Sequence, residues 1–225
     1  MKPIAHIKTD FASKFGLPRQ SGLIPEIEGK IIFEKKYRNP EAFRGLEEFS
    51  HIWLLWQFSE AVRKDWSPTV RPPLLGGNKR MGVFATRSPF RPNPIGLSAV
   101  KLEKIDFDCK DGPILYVKGS DLMDGTPIYD VKPYLAFADS IETASGGFTE
   151  HTADRALELD FPKALLSKIP EGKRNTLCAV LSGDPRPSYQ NDADRVYGFC
   201  FAGFEISFTV KDKKLSVTDV KSVTP

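Results

Sequence analysis

The stretch FATRSPFRPNPIGLS, Phe84 to Ser98, overlaps at Leu97 and Ser98 with the alternating run LSAVKLEKIDF, 97–107. Three prolines (Pro89, Pro92, Pro94) and two arginines (Arg87, Arg91) fall within fifteen residues, and a glycine then opens a run of strand character. Proline fixes φ near −65° and pushes the residue before it towards extended backbone, so Ser88, Phe90 and Asn93 are restricted too. The loop is stiff before any ligand arrives. It holds two guanidinium groups, whose planar forks suit carboxylate or phosphate. Read alone, it is equally a proline-rich turn with two surface arginines.

Working outward, short apolar or alternating runs recur between turn formers: GKIIFE (29–34), HIWLLWQF (51–58), RMGVFAT (80–86), LSAVKLEKIDF (97–107), PILYVKGS (113–120) and PIYDVKPYL (127–135). Their length and punctuation predict the strands of a barrel or sandwich. NPEAFRGLEEF (39–49) predicts a helix, with Asn39 as N-cap, Pro40 at the first position and Glu41 at the positive end. No strand leads into a glycine-rich turn and a long helix, and GGNKRMG does not match the GxGxxG phosphate fingerprint, which argues against a doubly wound dinucleotide or methyl-donor fold. SIETASGGFTEHTAD (140–154) reads as a linker. Beyond it, RALELDF as a strand, PKALLSKI and KRNTLCAVL as short helices, and DRVYGFCFAGFEISFTV with KLSVTDVKSV as antiparallel strands predict a small α+β unit. The expected fold is mainly β: a barrel over 1–139, a linker over 140–154 and an α+β domain over 155–225.

Bulk properties set limits. The 225 residues carry a net charge of +3, with 40% hydrophobic and 27% charged residues. No run reaches the length of a membrane span and no signal-peptide pattern is seen, so a cytoplasmic protein is expected. The three Cys and three His are scattered without metal-ligand spacing, so no metal is expected. Charge is uneven. Residues 63–101 hold eight basic residues against one acid, Asp65, a balance of +7, and 102–142 hold nine acids against four lysines, a balance of −5. A cationic segment in a nearly neutral chain suggests an anionic partner; its rival is a solvated surface balanced by neighbouring acids.

Other segments carry candidate chemistry. DLMDGTPIYD (121–130) holds a tight DGTP turn with Asp124 and Gly125, and Asp121, Asp124 and Asp130 could face a cation. GLPRQSG (16–22) sets Arg19 and Gln20 between glycines and a proline, like a capping loop. In GDPRPSYQ (183–190), Asp184, Arg186 and Tyr189 suit nucleotide recognition; the alternative is a helix ending at Gly183. FRGLEEFSHIWLLWQFSE (43–60) is most simply core.

Together these blocks resemble the TrmO (TsaA-like, YaeB-like) family of tRNA methyltransferases. The resemblance rests on PRQSGL, FRGLEEFSHIWLLWQF, WSPTVRPPLLGGNKRMGVFATRSPFRPNPIGLS, SDLMDGTPIYDVKPYL and GDPRPSYQ, and it covers most of residues 1–139. It implies an N-terminal β-barrel that binds S-adenosylmethionine without a Rossmann fold, a homodimer, and a C-terminal domain that helps engage tRNA. The implied reaction is methylation of N6 of threonylcarbamoyl-adenosine, just 3′ of the anticodon in threonine tRNAs. Carried over by motif, the donor-binding positions are Pro18, Arg19, Gln20, Arg87, Leu97, Asp124, Gly125, Thr126 and Pro127. Ser59 and Glu60 map to a place where family members can carry His-Gln, so the contact there is through backbone or lost. Candidates for orienting the acceptor amine or acting as base are Asn93, with the carbonyl of Pro92 or Pro94, and Asp184 and Tyr189. Lys79, Arg80, Arg91 and Arg186 are expected to face the tRNA. Rival readings are a methyltransferase with another substrate and a non-catalytic RNA-binding barrel.

Overall fold

The computed structural model describes residues 1–62, 64–75, 77–150, 156–186 and 192–223. In chain order the strands of the first unit are β1 (Ala5–Lys8), β2 (Glu28–Phe33), β3 (His51–Gln57), β4 (Thr69–Val70), β5 (Met81–Gly82), β6 (Ile95–Asp106), β7 (Ile114–Lys118) and β8 (Pro127–Pro133). A single turn of helix, α1 (Ala136–Asp139), follows. Six of these strands close an antiparallel barrel in the order β1-β2-β7-β6-β3-β8, while β4 and β5 form a separate two-stranded ribbon.

Period-two patterning produces the barrel. Ile52, Leu54 and Trp56 of β3 point inward, as do Gly96, Ser98, Val100 and Leu102 of β6, Ile31 and Phe33 of β2, and Leu115 and Val117 of β7. β6 is long enough to serve two neighbours. It pairs with β3 over Ile95–Lys101, then passes a bulge between Leu102 and Lys104 and continues along β7. Gly96 sits opposite Trp56 in this register. A Cβ at Gly96 would lie 2.3 Å from the indole, so the glycine makes room for the ring inside the barrel.

The second unit holds β9 (Glu158–Asp160), α2 (Lys163–Leu166), α3 (Glu171–Ser182), β10 (Tyr197–Phe201), β11 (Phe204–Lys211) and β12 (Lys214–Ser222). Its sheet runs β10-β11-β12-β9, antiparallel except for the parallel β12–β9 edge. The core under this sheet is not closed by the second unit alone. Phe11, Ile24 and Ile27, from the segment joining β1 to β2, are buried against Leu177, Val180 and Leu181 of α3 and against Phe199, Phe201 and Phe208 of the sheet. Phe11 meets Phe201 edge-on at 5.3 Å. Gly16, at φ +92°, lies so close to Phe199 that a Cβ would fall 2.4 Å from the ring. Asp10 pairs with Lys173 at 2.7 Å, and Thr176 Oγ1 donates to the Glu26 carbonyl at 3.1 Å. Burial works against the charge of Lys173, but its hydrogen bond to Asp10 and the Asp10 and Glu28 charges outweigh it and hold the ammonium above its ordinary pKa.

Two local expectations change. The helix expected over 39–49 is two short 3₁₀ turns, Pro40–Phe43 and Leu46–Glu48. Asn39 does cap the first by accepting from the Glu41 amide at 3.1 Å. Gly45 then takes φ +83°, a left-handed conformation that ends the run. The strand expected over 80–86 is only β5 followed by a 3₁₀ turn, Val83–Ala85.

Candidate active site

The proline loop is held from within as well as by its prolines. Arg91 Nη1 donates to the carbonyls of Thr86 at 2.9 Å and Ser88 at 3.4 Å, and the Arg91 amide donates to Pro89 at 2.9 Å. The Thr86 hydroxyl accepts from the Ser88 amide and donates to the Val83 carbonyl. The Ile95 amide returns to the Asn93 carbonyl at 2.8 Å, and the Phe58 amide takes the Pro94 carbonyl at 2.9 Å, which ties the end of β3 to the start of β6. Arg91 is therefore first a clamp on its own loop. Asn93 is exposed, and its side chain has no hydrogen-bond partner among the described residues.

Held this way, Arg87 reaches out of the loop and donates from Nη1 to Gln20 Oε1. Gln20 Nε2 donates to the Arg19 carbonyl at 2.5 Å, and Arg19 Nη2 reaches the Arg186 carbonyl at 3.3 Å. Arg186 is in turn forked onto Asp184, Nε to Oδ1 at 2.8 Å and Nη2 to Oδ2 at 3.0 Å, and lies over the Tyr197 ring. Five residues picked from three distant motifs thus form one chain of contacts across both units. Asp184 sits in the left-handed region, φ 54°, just past the end of α3 at Gly183. Both its oxygens are committed to Arg186, whose pKa the hydrogen bond raises.

A partly buried carboxylate, Asp121, which the sequence offered only as one of three acids that could face a cation, joins this chain. Trp56 Nε1 donates to Ser98 Oγ at 2.9 Å, and Ser98 Oγ donates to Asp121 Oδ1 at 2.6 Å. Burial pushes the Asp121 carboxyl above its ordinary pKa, opposed by Ser98, by backbone hydrogen bonds that include Ser21, and by the Arg87 charge. Asp121 thereby links the barrel interior to the 18–22 loop and to Arg87. Its local signal was weak, because it stands three residues before a more conspicuous DGTP turn.

That turn is placed by the barrel seam. The amides of Asp124, Gly125 and Thr126 donate to Phe11, Ile7 and Met123 respectively, and Asp124 Oδ1 accepts from the Thr9 amide at 3.0 Å. Those amides are used inside the protein, so what the turn can offer outward is side-chain oxygen and carbonyls. Pro127 opens β8 opposite His6. Gly125 has φ +77° and nothing within 4 Å of a Cβ position, so space is open above the turn. Leu97, on β6, leaves half its surface exposed. Ser59 and Glu60 lie in a 3₁₀ turn after β3, where Glu60 is 4.0 Å from Lys14. Asp130 is taken up by Lys132 at 2.7 Å and by the Val131 amide. Lys79 and Arg80 stand just before β5, with Arg80 Nη1 on Thr69 Oγ1 at 3.1 Å. Tyr189 lies outside the described residues.

The tRNA-methyltransferase O N-terminal domain family matches residues 6–140, and the TrmO C-terminal domain family matches residues 154–223. The chain belongs to the TrmO family. TrmO relatives span it almost end to end. It is 40% identical to the tRNA (adenine(37)-N6)-methyltransferase of Escherichia coli K12 over 222 residues, which is 95% of this chain and 94% of that one. It is 37% identical to a Pseudomonas aeruginosa protein, provisionally named an S-adenosylmethionine-dependent methyltransferase, over 88% of this chain and 87% of that one. A crystal structure of TrmO from Pseudomonas aeruginosa superposes with a TM-score of 0.76 at 30% identity, covering 98% of this chain and 97% of that one.

The chemistry of the residues carried over by motif fits S-adenosylmethionine. Arg87 offers a fork for a carboxylate, Leu97 an exposed apolar surface for a ring, and Gly125 an open backbone that a side chain would fill.

Proposed function

We propose that this chain transfers the methyl group of S-adenosylmethionine to N6 of adenosine 37 in tRNA, and that in threonine tRNAs this nucleoside is threonylcarbamoyl-adenosine. The observation that supports the reading is the contact of Gln20 with Arg87 near the partly buried Asp121, in a chain 40% identical to the E. coli tRNA (adenine(37)-N6)-methyltransferase over nearly its whole length. On this reading the chain acts as a cytoplasmic homodimer, with residues 155–225 helping to engage the RNA.

Pro18, Arg19, Gln20, Arg87, Leu97 and Asp124–Pro127 would hold the donor, with lesser contributions from the backbone of Ser59 and Glu60. S-adenosylmethionine supplies a methyl group activated on a sulfonium. The chain supplies alignment, which alone can lower a barrier by several kcal/mol. Arg87 pairs with a carboxylate and Gln20 fixes its orientation. Asn93, whose side chain has no partner among the described residues, would accept from the N–H of the target nitrogen and turn its lone pair towards the methyl group; as the N–CH3 bond forms the S–CH3 bond breaks, the neutral thioether leaves and the N6 proton passes to water. The Pro92 carbonyl is a better companion for it than that of Pro94, which already accepts from Phe58. Asp184 is better read as the holder of Arg186 than as a base, because its oxygens are occupied.

The test is mass spectrometry of threonine tRNA from a strain lacking the gene, paired with methyl transfer in vitro onto tRNA with and without the threonylcarbamoyl group. Loss of the methylated nucleoside in the strain, and transfer only to the carbamoylated tRNA, support the full reading. Transfer to both tRNAs removes the threonylcarbamoyl requirement. An unchanged nucleoside profile points to another substrate.

A further inference from the structure

Between β3 and β6 the chain leaves the barrel and presents two large aromatic rings to water. Trp66 is 51% exposed and Phe84 72%. Their centroids lie 6.0 Å apart with the planes inclined by 32°. The pairing is built by the fold. Trp66 precedes β4 and Phe84 follows β5, the two strands pair Thr69 with Gly82 and Val70 with Met81, and the Val83 amide donates to the Pro68 carbonyl at 2.9 Å. Trp66 also lines a cavity of about 280 Å³ that shares a wall with Phe90, Arg91 and Pro92. That wall is part of the loop that presents Arg87. The segment around the rings is the most basic in the chain, with Asp65 its single acid between residues 63 and 101.

We infer that Trp66 and Phe84 form a stacking platform for an unpaired base of the substrate RNA, next to the nucleotide that receives the methyl group. The inference rests on the tRNA reading above. An unpaired nucleotide presents an apolar π-face and a phosphate, and this surface offers ring planes set among cations. A base drawn out of its loop loses stacking that the two rings can restore. Because every base has a π-face, the platform anchors the loop without reading its sequence. A second copy of the chain fits less well: it would bring two cationic segments together, and two rings bury roughly 150–250 Å² each against the roughly 800 Å² per partner of a stable interface.

The experiment measures binding of the full chain to a threonine anticodon stem-loop RNA and to a blunt RNA duplex with the same number of phosphates, across a salt series. Trp66→Ala is expected to weaken stem-loop binding about ten-fold, with duplex binding and the salt slope unchanged. Trp66→Phe is expected to keep most of the affinity, and Phe84→Ala to lose it as Trp66→Ala does. Lys79→Ala provides the contrast, weakening both RNAs alike and lowering the salt slope by about one. An equal loss on both RNAs for Trp66→Ala, no loss on either, or a fall in sedimentation coefficient for the variant would each overturn the platform. If the wild-type chain itself neither prefers the stem-loop nor methylates it, the tRNA reading falls; if it does both and Trp66→Ala does so equally well, only the platform falls. Unchanged melting of each variant by circular dichroism shows that the effects come from the surface and not from unfolding.

Discussion

Arg87 and Asp121 set an exposed cation near a partly buried acid. If Arg87 pairs with the donor carboxylate, Arg87→Ala raises the KM for S-adenosylmethionine about 10- to 100-fold, the range expected when a charged hydrogen-bond partner is removed. Arg87→Lys recovers only part, because an ammonium keeps the charge and loses the two-pronged fork. Steady-state kinetics with saturating RNA read both. For Asp121, a carboxyl raised by burial binds its proton more tightly in the folded chain than in the unfolded one. Its contribution is therefore most favourable below the ordinary carboxylate range and is lost as pH rises through its folded value. Asp121→Asn keeps an oxygen for Ser98 and is expected to melt a few degrees above the wild type at pH 7, the gap closing below about pH 4. Thermal melts across pH check the sign. Arg87 was visible in the sequence because prolines and arginines together are conspicuous. The sequence offered Asp121 only as one of three acids that could face a cation, because what marks it is a partner on β6, Ser98, twenty-three residues away.

The elements that build the barrel were legible as strands, since inward residues recur every second position in β3 and β6. What the pattern could not show is how a strand is shared. β6 pairs with β3 up to Lys101, takes up β7 from that same residue and carries the pairing past a bulge after Leu102 to Asp106, so one twelve-residue strand belongs to two neighbours. Gly96 marks a second such demand. Gly96→Ala would force its methyl into the Trp56 ring and is expected to cost about 1–3 kcal/mol, as overpacked cores do. A lower urea midpoint with an unchanged m-value reports this. Shifting Trp56 would also disturb its bond to Ser98 and hence Asp121. The helix expected at 39–49 shows the reverse limit: capping residues were in place, and one left-handed glycine cut the element short.

At the scale of the molecule, the 16–22 loop stands on the second unit. Pro18, Arg19 and Gln20 lie between Gly16, packed on Phe199, and Ile24, buried among α3 and the C-terminal sheet. A truncated chain ending at residue 140 would expose Phe11, Ile24 and Ile27 and leave Arg19 without Arg186. Such a chain is expected to bind S-adenosylmethionine far more weakly than the full one and to exchange its 9–27 amides rapidly, which calorimetry and hydrogen exchange would show. By itself the sequence determined the strand-rich first unit, the smaller α+β unit and the rigid proline loop, because periodicity and proline stereochemistry act over a few residues. Only the tertiary structure decided that residues 9–27 serve the core of the second unit, that Asp121 lies partly buried within reach of the Arg87 charge, and that Trp66 meets Phe84 in water. Each of those depends on contacts between residues far apart in the chain, and packing, not local preference, brings them together.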